Sequence, residues 1–265
     1  MKKRMLLWAQ GYEDIVLFHA LKDVENGFYV DVGANSPWDC SVTKLFYEHG
    51  WHGINIEPLE EHYRTLCEDR PRDVNVCMGV GNRETELEFV VDEGCSSFAP
   101  DVMAKKEQSG RALEHRKMHI KRLDSILDEK LPSHARDIHF LKIDVEGFER
   151  EVLEGVSLDK YRPWIVTLEA VEPGSKMPNH QKWESILLAN GYTFAHEQFV
   201  NRYYVANEHL ELKTRFIGVE ALISEYDLYF AQHASYRAFE SAPILWLIKS
   251  TVMETLSRIK RKILR

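Results

Sequence analysis

The chain has 265 residues, 44% of them hydrophobic and 29% charged, a size and balance that fit one α/β domain with additions and exclude a disordered chain. Its formal net charge of −8 excludes bulk binding to nucleic acid, which needs a basic face to neutralise phosphates. The cysteines Cys40, Cys67, Cys77 and Cys95 form no C-x-x-C pair and lack metal-ligand spacing, which points to a reduced, cytoplasmic setting.

Met1-Lys2-Lys3-Arg4 is basic, but the apolar run Met5 to Ala9 behind it is too short for a signal-peptide core. No stretch reaches the length of a membrane span. Residues 12–23 predict a helix with a partly apolar face, from Ile15, Val16, Phe18 and Leu21. Phe28-Tyr29-Val30-Asp31-Val32 is β-branched and aromatic, hence a buried strand. A helix over 41–49, a strand over 53–56 closed by Glu57-Pro58, a helix over 59–68, a strand over 74–77 and a β segment over 86–91 follow. From Asp92 to Ile120 glycines, serines, Pro100 and many charges break the pattern. That predicts a long loop acting as a lid, since loops of this size are functional or mobile.

A helix over 123–131, a strand over 138–143, a helix over 149–153 stopped by Gly155, a strand over 164–168, a helix over 180–189 and a β pair ending at 203–205 complete the domain. Beyond it, Leu245, Ile248, Val252, Leu256, Ile259 and Ile263 recur at helical intervals among six lysines and arginines. This basic tail is expected to dock on the domain, on a second copy of the chain, or peripherally on the inner, anionic face of a membrane. The expected organisation is an N-terminal helical segment (1–26), a main domain (27–215) and a C-terminal helical extension (216–265).

Strands alternating with helices predict an α/β, Rossmann-like fold, a mostly parallel sheet with helices on both faces. Such sheets bind ligands at the carboxyl ends of their strands. Asp31-Val32-Gly33-Ala34-Asn35 follows the first buried strand, and Glu57 ends the next. An acidic residue there can accept hydrogen bonds from both ribose hydroxyls of NAD or of S-adenosylmethionine (SAM). The glycine spacing separates the two. A dinucleotide fingerprint wants further glycines where Asn35 and Trp38 stand, and Pro37 interrupts, so a pyrophosphate fits badly. SAM has no phosphate, and Asp31 could hold its ammonium group. The competing view makes Asp31 and Glu57 mere caps of the following segments.

These blocks resemble the FkbM family of SAM-dependent methyltransferases. The matching residues are Gln10 with Glu13-Asp14, Tyr29 to Asn35, Ser41-Val42-Thr43, Gly50-Trp51 with Gly53, and Ile56-Glu57-Pro58. Further on they are Ser96-Ser97, Phe140 to Gly147 with Glu149, Val152-Leu153 and Gly155, and Asn201 with Tyr203 and Val205. The block around Asp144 is the most specific, and many relatives carry glycine where Pro37 stands. The resemblance implies a class I methyltransferase fold and O-methylation of a hydroxyl, with a sugar or oligosaccharide of surface polysaccharide biosynthesis as acceptor. Carried over by position, Gln10, Asp31, Gly33, Ala34, Asn35, Glu57 and Asp144 would bind cofactor, and Ser41 and Ser97 would line the same pocket.

Asp144 follows the apolar strand 138–143, Glu146 lies in the turn behind it, and Glu169 ends the next strand. Carboxylates on adjacent strand ends facing one cleft are costly unless a cation or a proton sits between them. Asp144, Glu146 and Glu169 are therefore the candidate catalytic groups. Asp144 and Glu169 are candidate ligands of magnesium or another divalent metal. Glu149 suits the helix N-terminus it opens. His19, His115, His119 and His180 are candidate bases, and Trp38, Trp51, Tyr203 and Tyr204 candidate stacking residues. Two other functions compete with methyl transfer: a nicotinamide oxidoreductase, and a non-catalytic module that keeps the fold to bind a glycan or a partner enzyme.

Overall fold

The computed structural model describes residues 3–92, 96–108 and 113–230. Its main sheet has seven strands: β2 (Phe28–Val32), β3 (His52–Ile56), β4 (Val74–Val76), β8 (Phe140–Ile143), β9 (Ile165–Glu169), β10 (Tyr192–Gln198) and β11 (Asn201–Ala206). They lie in the order β10-β11-β9-β8-β2-β3-β4. β4, β3, β2, β8 and β9 pair in parallel, and β11 runs antiparallel to both its neighbours. This is the expected Rossmann-like arrangement. From β2 the chain winds outward to β3 and β4, then returns to build β8 and β9 on the other side. The strand order reverses between β2 and β8, the place where such sheets open a crevice at their carboxyl ends.

Helices cover both faces because the parallel strands are apolar on both. On one face α1 (Glu13–Ala20), α2 (Lys44–Glu48) and a 3-10 segment (Asn207–Phe216) pack Val16, Leu17, Phe46, Leu212 and Phe216 on Tyr29, Phe140, Ile165 and Tyr203. On the other, α5 (Leu123–Lys130), α6 (Glu149–Glu154) and α7 (Glu184–Ala189) pack Leu123, Leu127, Val152, Leu153 and Leu187 on Val30, Val32, Leu141, Ile143 and Val166. α3 (Glu60–Asp69) links β3 to β4. One polar residue interrupts each of five strands. Asn75, Asn55, Asp31, Lys142 and Thr167 are register partners in turn and form a polar row across the sheet.

Several local expectations change. The described residues of the supposed long loop after Asp92 form regular structure. Ser97 bridges to Val90, α4 spans Pro100–Gln108, and β7 (Glu114–Arg122) pairs antiparallel with β6 (Thr85–Val91) and parallel with β5 (Gly79–Gly81). Exposure alternates along β7, with His115, Lys117 and His119 on its open face, which is why its charges looked like loop composition. The helix over 180–189 splits into a 3-10 turn at His180–Lys182 and α7. At the ends, Lys3–Leu7 within the supposedly helical N-terminal segment is strand β1. It pairs in parallel with β12 (Tyr226–Phe230) of the supposedly helical C-terminal extension, of which Val219–Glu225 is helical (α8). The aromatic-rich run Tyr226 to Phe230 suits a strand. The tail stripe from Leu245 lies outside the described residues. Among the described residues, no helix is long and apolar enough to cross a membrane.

Candidate active site

At the carboxyl ends of β2, β3, β8 and β9 the chain encloses a cavity of about 620 Å³. Gly33 forms its floor between β2 and β8. Its φ is +78°, and a Cβ there would lie 1.9 Å from the Asp144 carbonyl oxygen. Only glycine allows the two strand ends to approach so closely. The loop is fastened to β3: Gly33 and Ala34 donate their N–H groups to the Ile56 carbonyl (3.0 and 3.1 Å), and Asn35 N–H donates to Glu57 Oε2 at 2.8 Å. The backbone amides of Gly33, Ala34 and Asn35 are thus engaged within the protein.

Glu57 is buried, and its Oε1 accepts from Leu59 N–H at 2.9 Å. Burial pushes its pKa up to about 7 against these two amides. A carboxylate has roughly four lone-pair sites, so two remain for a ligand. Burial also raises Glu13, whose oxygens accept from Gly11 N–H (2.8 Å) and Asn201 Nδ2 (2.6 Å).

Among the described residues, eight carboxylate side chains line the cavity, against one lysine. Asp92 and Glu61 are matched by Lys106 and Arg116 from outside the lining. The lysine is Lys142. Its Nζ donates to the Gly33 carbonyl at 2.7 Å and lies 3.1 Å from Asp31 and 3.5 Å from Asp144. Burial opposes its charge, but the two carboxylates outweigh burial and hold its pKa above the usual lysine value. Asp144, Glu146 and Glu169 each bring an oxygen within 4.8 Å of the others. Burial, then the charges of Asp144 and Glu146, hold Glu169 well above the usual carboxylate range. Among the described residues its buried Oε2 finds no hydrogen-bond donor. The turn carrying Glu146 is left-handed at Glu146 (φ +52°) and Gly147 (φ +96°), and Ser97 Oγ donates to the Glu146 carbonyl at 2.7 Å.

The arrangement is a negatively charged cavity with one edge suited to a diol, at Glu57, and one suited to a proton or cation, at the carboxylate trio. The Methyltransferase FkbM domain matches residues 31–194, more than half of the chain, including the carboxyl ends of β2, β3, β8 and β9. The chain belongs to the FkbM methyltransferase family. A crystal structure of methyltransferase FkbM from Methylobacillus flagellatus KT is similar at 17% identity with a TM-score of 0.42, over 68% of this chain and 43% of that one. The chain therefore spans less than half the length of that relative. No curated protein matches the sequence.

For an FkbM methyltransferase the sequence-predicted residues divide cleanly. Gln10, Gly33, Ala34, Asn35, Glu57, Asp144, Glu146 and Glu169 meet in the cavity lining. Asp31, Ser41 and Ser97 do not. Asp31 sits inside β2 rather than at its end, buried, accepting from Thr43 Oγ1 at 3.0 Å and facing Lys142. Ser41 accepts from Arg70, and Ser97 supports the Glu146 turn, leaving Ser96 on the lining. Glu149 accepts from Gly147 N–H at 3.0 Å and Val145 N–H at 3.3 Å, and burial raises its pKa to about 7.

His19, His115, His119 and His180 are absent from the lining. His115 and His119 pair with Glu88 and Glu86 on the side sheet. His62 does line the cavity, 4.0 Å from Glu57. Trp51, Tyr203 and Tyr204 are core, and Trp38 Nε1 donates to Asp69 at 2.8 Å. Glu13, Lys142, Thr167 and Asn201 are lining residues that the sequence did not single out as site residues. For Lys142 and Thr167, a polar residue inside an otherwise apolar strand was the signal.

Proposed function

We propose that the chain is a SAM-dependent O-methyltransferase acting on a sugar hydroxyl, within the building of a polysaccharide or other glycan. The observation that carries this reading is the unbalanced charge of the cavity. Its surplus of carboxylates around Lys142 favours a cationic ligand and disfavours a pyrophosphate, which speaks against a nicotinamide dinucleotide. When bound, SAM supplies an electrophilic methyl group on a positively charged sulfonium. Glu57 would hold the ribose through its two remaining lone pairs, with Gly33 and Asn35 shaping the floor. Asp31 contributes at one remove, by fixing Lys142.

A sugar hydroxyl is a weak nucleophile near neutral pH, so its proton must be accepted as it reacts. Asp144 stands nearest to that task, half-exposed at the strand end, while Lys142 holds its carboxylate in place. Glu169, whose raised pKa keeps its proton near neutrality, would donate a hydrogen bond that orients the acceptor. The same trio is also a set of oxygen ligands for a divalent cation such as magnesium, which would take over the role of that proton.

The test is methyl transfer from SAM to a panel of neutral glycans, scored by mass spectrometry. Asp144→Asn should lower turnover by about 10²–10⁴-fold, the usual weight of a general base, while SAM still binds. Full activity of that variant would remove Asp144 from the chemistry. Chelator decides the cation: activity lost in chelator and restored by magnesium assigns the trio to a metal, and full activity in chelator assigns it to a proton. Absence of transfer together with intact glycan binding would favour the non-catalytic module.

A further inference from the structure

Phe199 stands where folding alone would not put it. It occupies the first position of the two-residue connection between β10 and β11, with φ +52°. Glycine or asparagine is the usual occupant of such a site, because a side chain in the left-handed region is strained. Phe199 is also 64% exposed. Its ring packs against Tyr12, centroids 5.6 Å apart and planes 32° apart. Tyr12 is itself left-handed, with φ +68°. Two strained aromatic residues from opposite ends of the chain thus meet at one spot, and such strain concentrates at functional sites.

That spot adjoins the cavity, although neither ring is itself part of the lining. The chain neighbours of both residues, Glu13 on one side and Val200 and Asn201 on the other, line the cavity. Asn201 Nδ2 donates to Glu13 Oε1 at 2.6 Å and ties the two segments together. In the sheet, Asn201 is the register partner of Glu169. The aromatic pair therefore borders the carboxylate trio, on the side away from Glu57, which terminates β3 across β8 and β2.

We propose that Tyr12 and Phe199 form the acceptor subsite, an aromatic ledge that stacks against the C–H face of an uncharged sugar ring; the proposal rests on the sugar reading above. A purely apolar acceptor would leave the carboxylates and carboxamides beneath the ledge without partners. A purely polar one would leave the Phe199 face uncovered. A pyranose ring satisfies both, with an apolar face toward the ring and hydroxyls toward Glu13, Asn201, Asp144 and Glu169. The surplus negative charge of the lining sets the further restriction: uronic acids and phosphorylated sugars are repelled, and neutral or amino sugars are admitted.

The experiment uses the full chain, SAM, and an array of neutral, amino, uronic and phosphorylated oligosaccharides, with methyl incorporation as the readout. The proposal expects methylation confined to neutral and amino glycans. On the best of these, Phe199→Ala should raise KM about tenfold, and Phe199→Trp should restore it, while SAM affinity by calorimetry stays at the wild-type value in both. The unchanged SAM affinity reports that the fold survives. An unchanged KM in Phe199→Ala, with the wild type active on glycans, would overturn the ledge and leave the sugar reading standing. Preference for uronic or phosphorylated acceptors would overturn the charge restriction. Failure of the wild type to methylate any glycan would overturn the sugar reading and the ledge with it.

Discussion

Two buried ionic clusters lie on the same face of the sheet, on either side of Asp31, and they differ in one respect. Around Arg70 the charges balance within the chain, Arg70 and Lys44 against Asp69 and Asp73, although Arg70 Nε and Asn55 Oδ1 are buried with no hydrogen-bond partner among the described residues. The Arg70 guanidinium donates to the Pro37 carbonyl (2.8 Å), Ser41 Oγ (2.9 Å) and Thr43 Oγ1 (3.2 Å), and it faces Asp69 and Asp73. Asp73 in turn accepts from Tyr29 Oη (2.6 Å), Asn55 Nδ2 (2.9 Å) and Gly53 N–H (2.9 Å). Around Lys142 the charges do not balance: Glu13, Asp31, Asp144, Glu146 and Glu169 gather about one ammonium. A buried cluster that the chain completes by itself belongs to the architecture. One that it leaves in surplus is shaped for something the chain does not contain.

The largest effect should come from breaking the balanced cluster. Arg70→Met should destabilise the fold by roughly 3–5 kcal/mol, because the buried Asp73 loses its cation. Denaturant unfolding gives the number, and a loss below about 1 kcal/mol would erase the distinction between the clusters. On the cavity's other edge, Glu57→Ala should weaken SAM binding by about 1–3 kcal/mol, the worth of charge-assisted hydrogen bonds, and should also cost stability, because the Asn35 and Leu59 N–H groups lose their acceptor. The same affinity should depend on pH. Glu57 binds ribose best when ionised and titrates at about 7, so calorimetry should show affinity falling below pH 7, by at most about tenfold per pH unit. A flat profile from pH 5.5 to 8 would remove Glu57 from the ribose site.

A further effect concerns stability and has the opposite sign to Arg70→Met. The folded pKa of Glu169 lies above its unfolded value of 4.5. Its contribution is therefore fully present below that value and is lost as pH rises through the folded pKa. Melting temperature of the ligand-free protein should fall between pH 5 and pH 9, and Glu169→Gln should flatten that fall and melt higher at pH 9. A variant that melts lower than wild type at pH 9 would show that Glu169 is compensated after all.

The strands of the main sheet were legible because parallel strands covered on both faces read as short apolar runs, as in Phe28 to Val32 and Phe140 to Ile143. The loop at Gly33 and the acidic residue at Glu57 pointed in the same way to one edge of the cavity, which both residues line. The side sheet was not legible. Gly79–Gly81 is too short to show a period, and β7 carries charges on its open face that resemble loop composition. Lys142 and Asn201 escaped for a different reason. Ligand groups are expected just past the strand ends, whereas these two reach the cavity from within β8 and from the start of β11. Asp31 was misplaced by the same assumption: it stands one residue inside its strand and works through Lys142. Tyr12 and Phe199 carry no periodic signal, since their strained backbone exists only in the folded chain.

The central claim is that the surplus of carboxylates marks a site for a cationic cofactor, and calorimetric titration of the intact chain with SAM and, separately, with NADH tests it most directly. The account predicts saturable one-site binding of SAM that Glu57→Ala weakens, and no heat of binding with NADH. Binding of NADH in preference to SAM, or SAM binding that Glu57→Ala leaves unchanged, would contradict it.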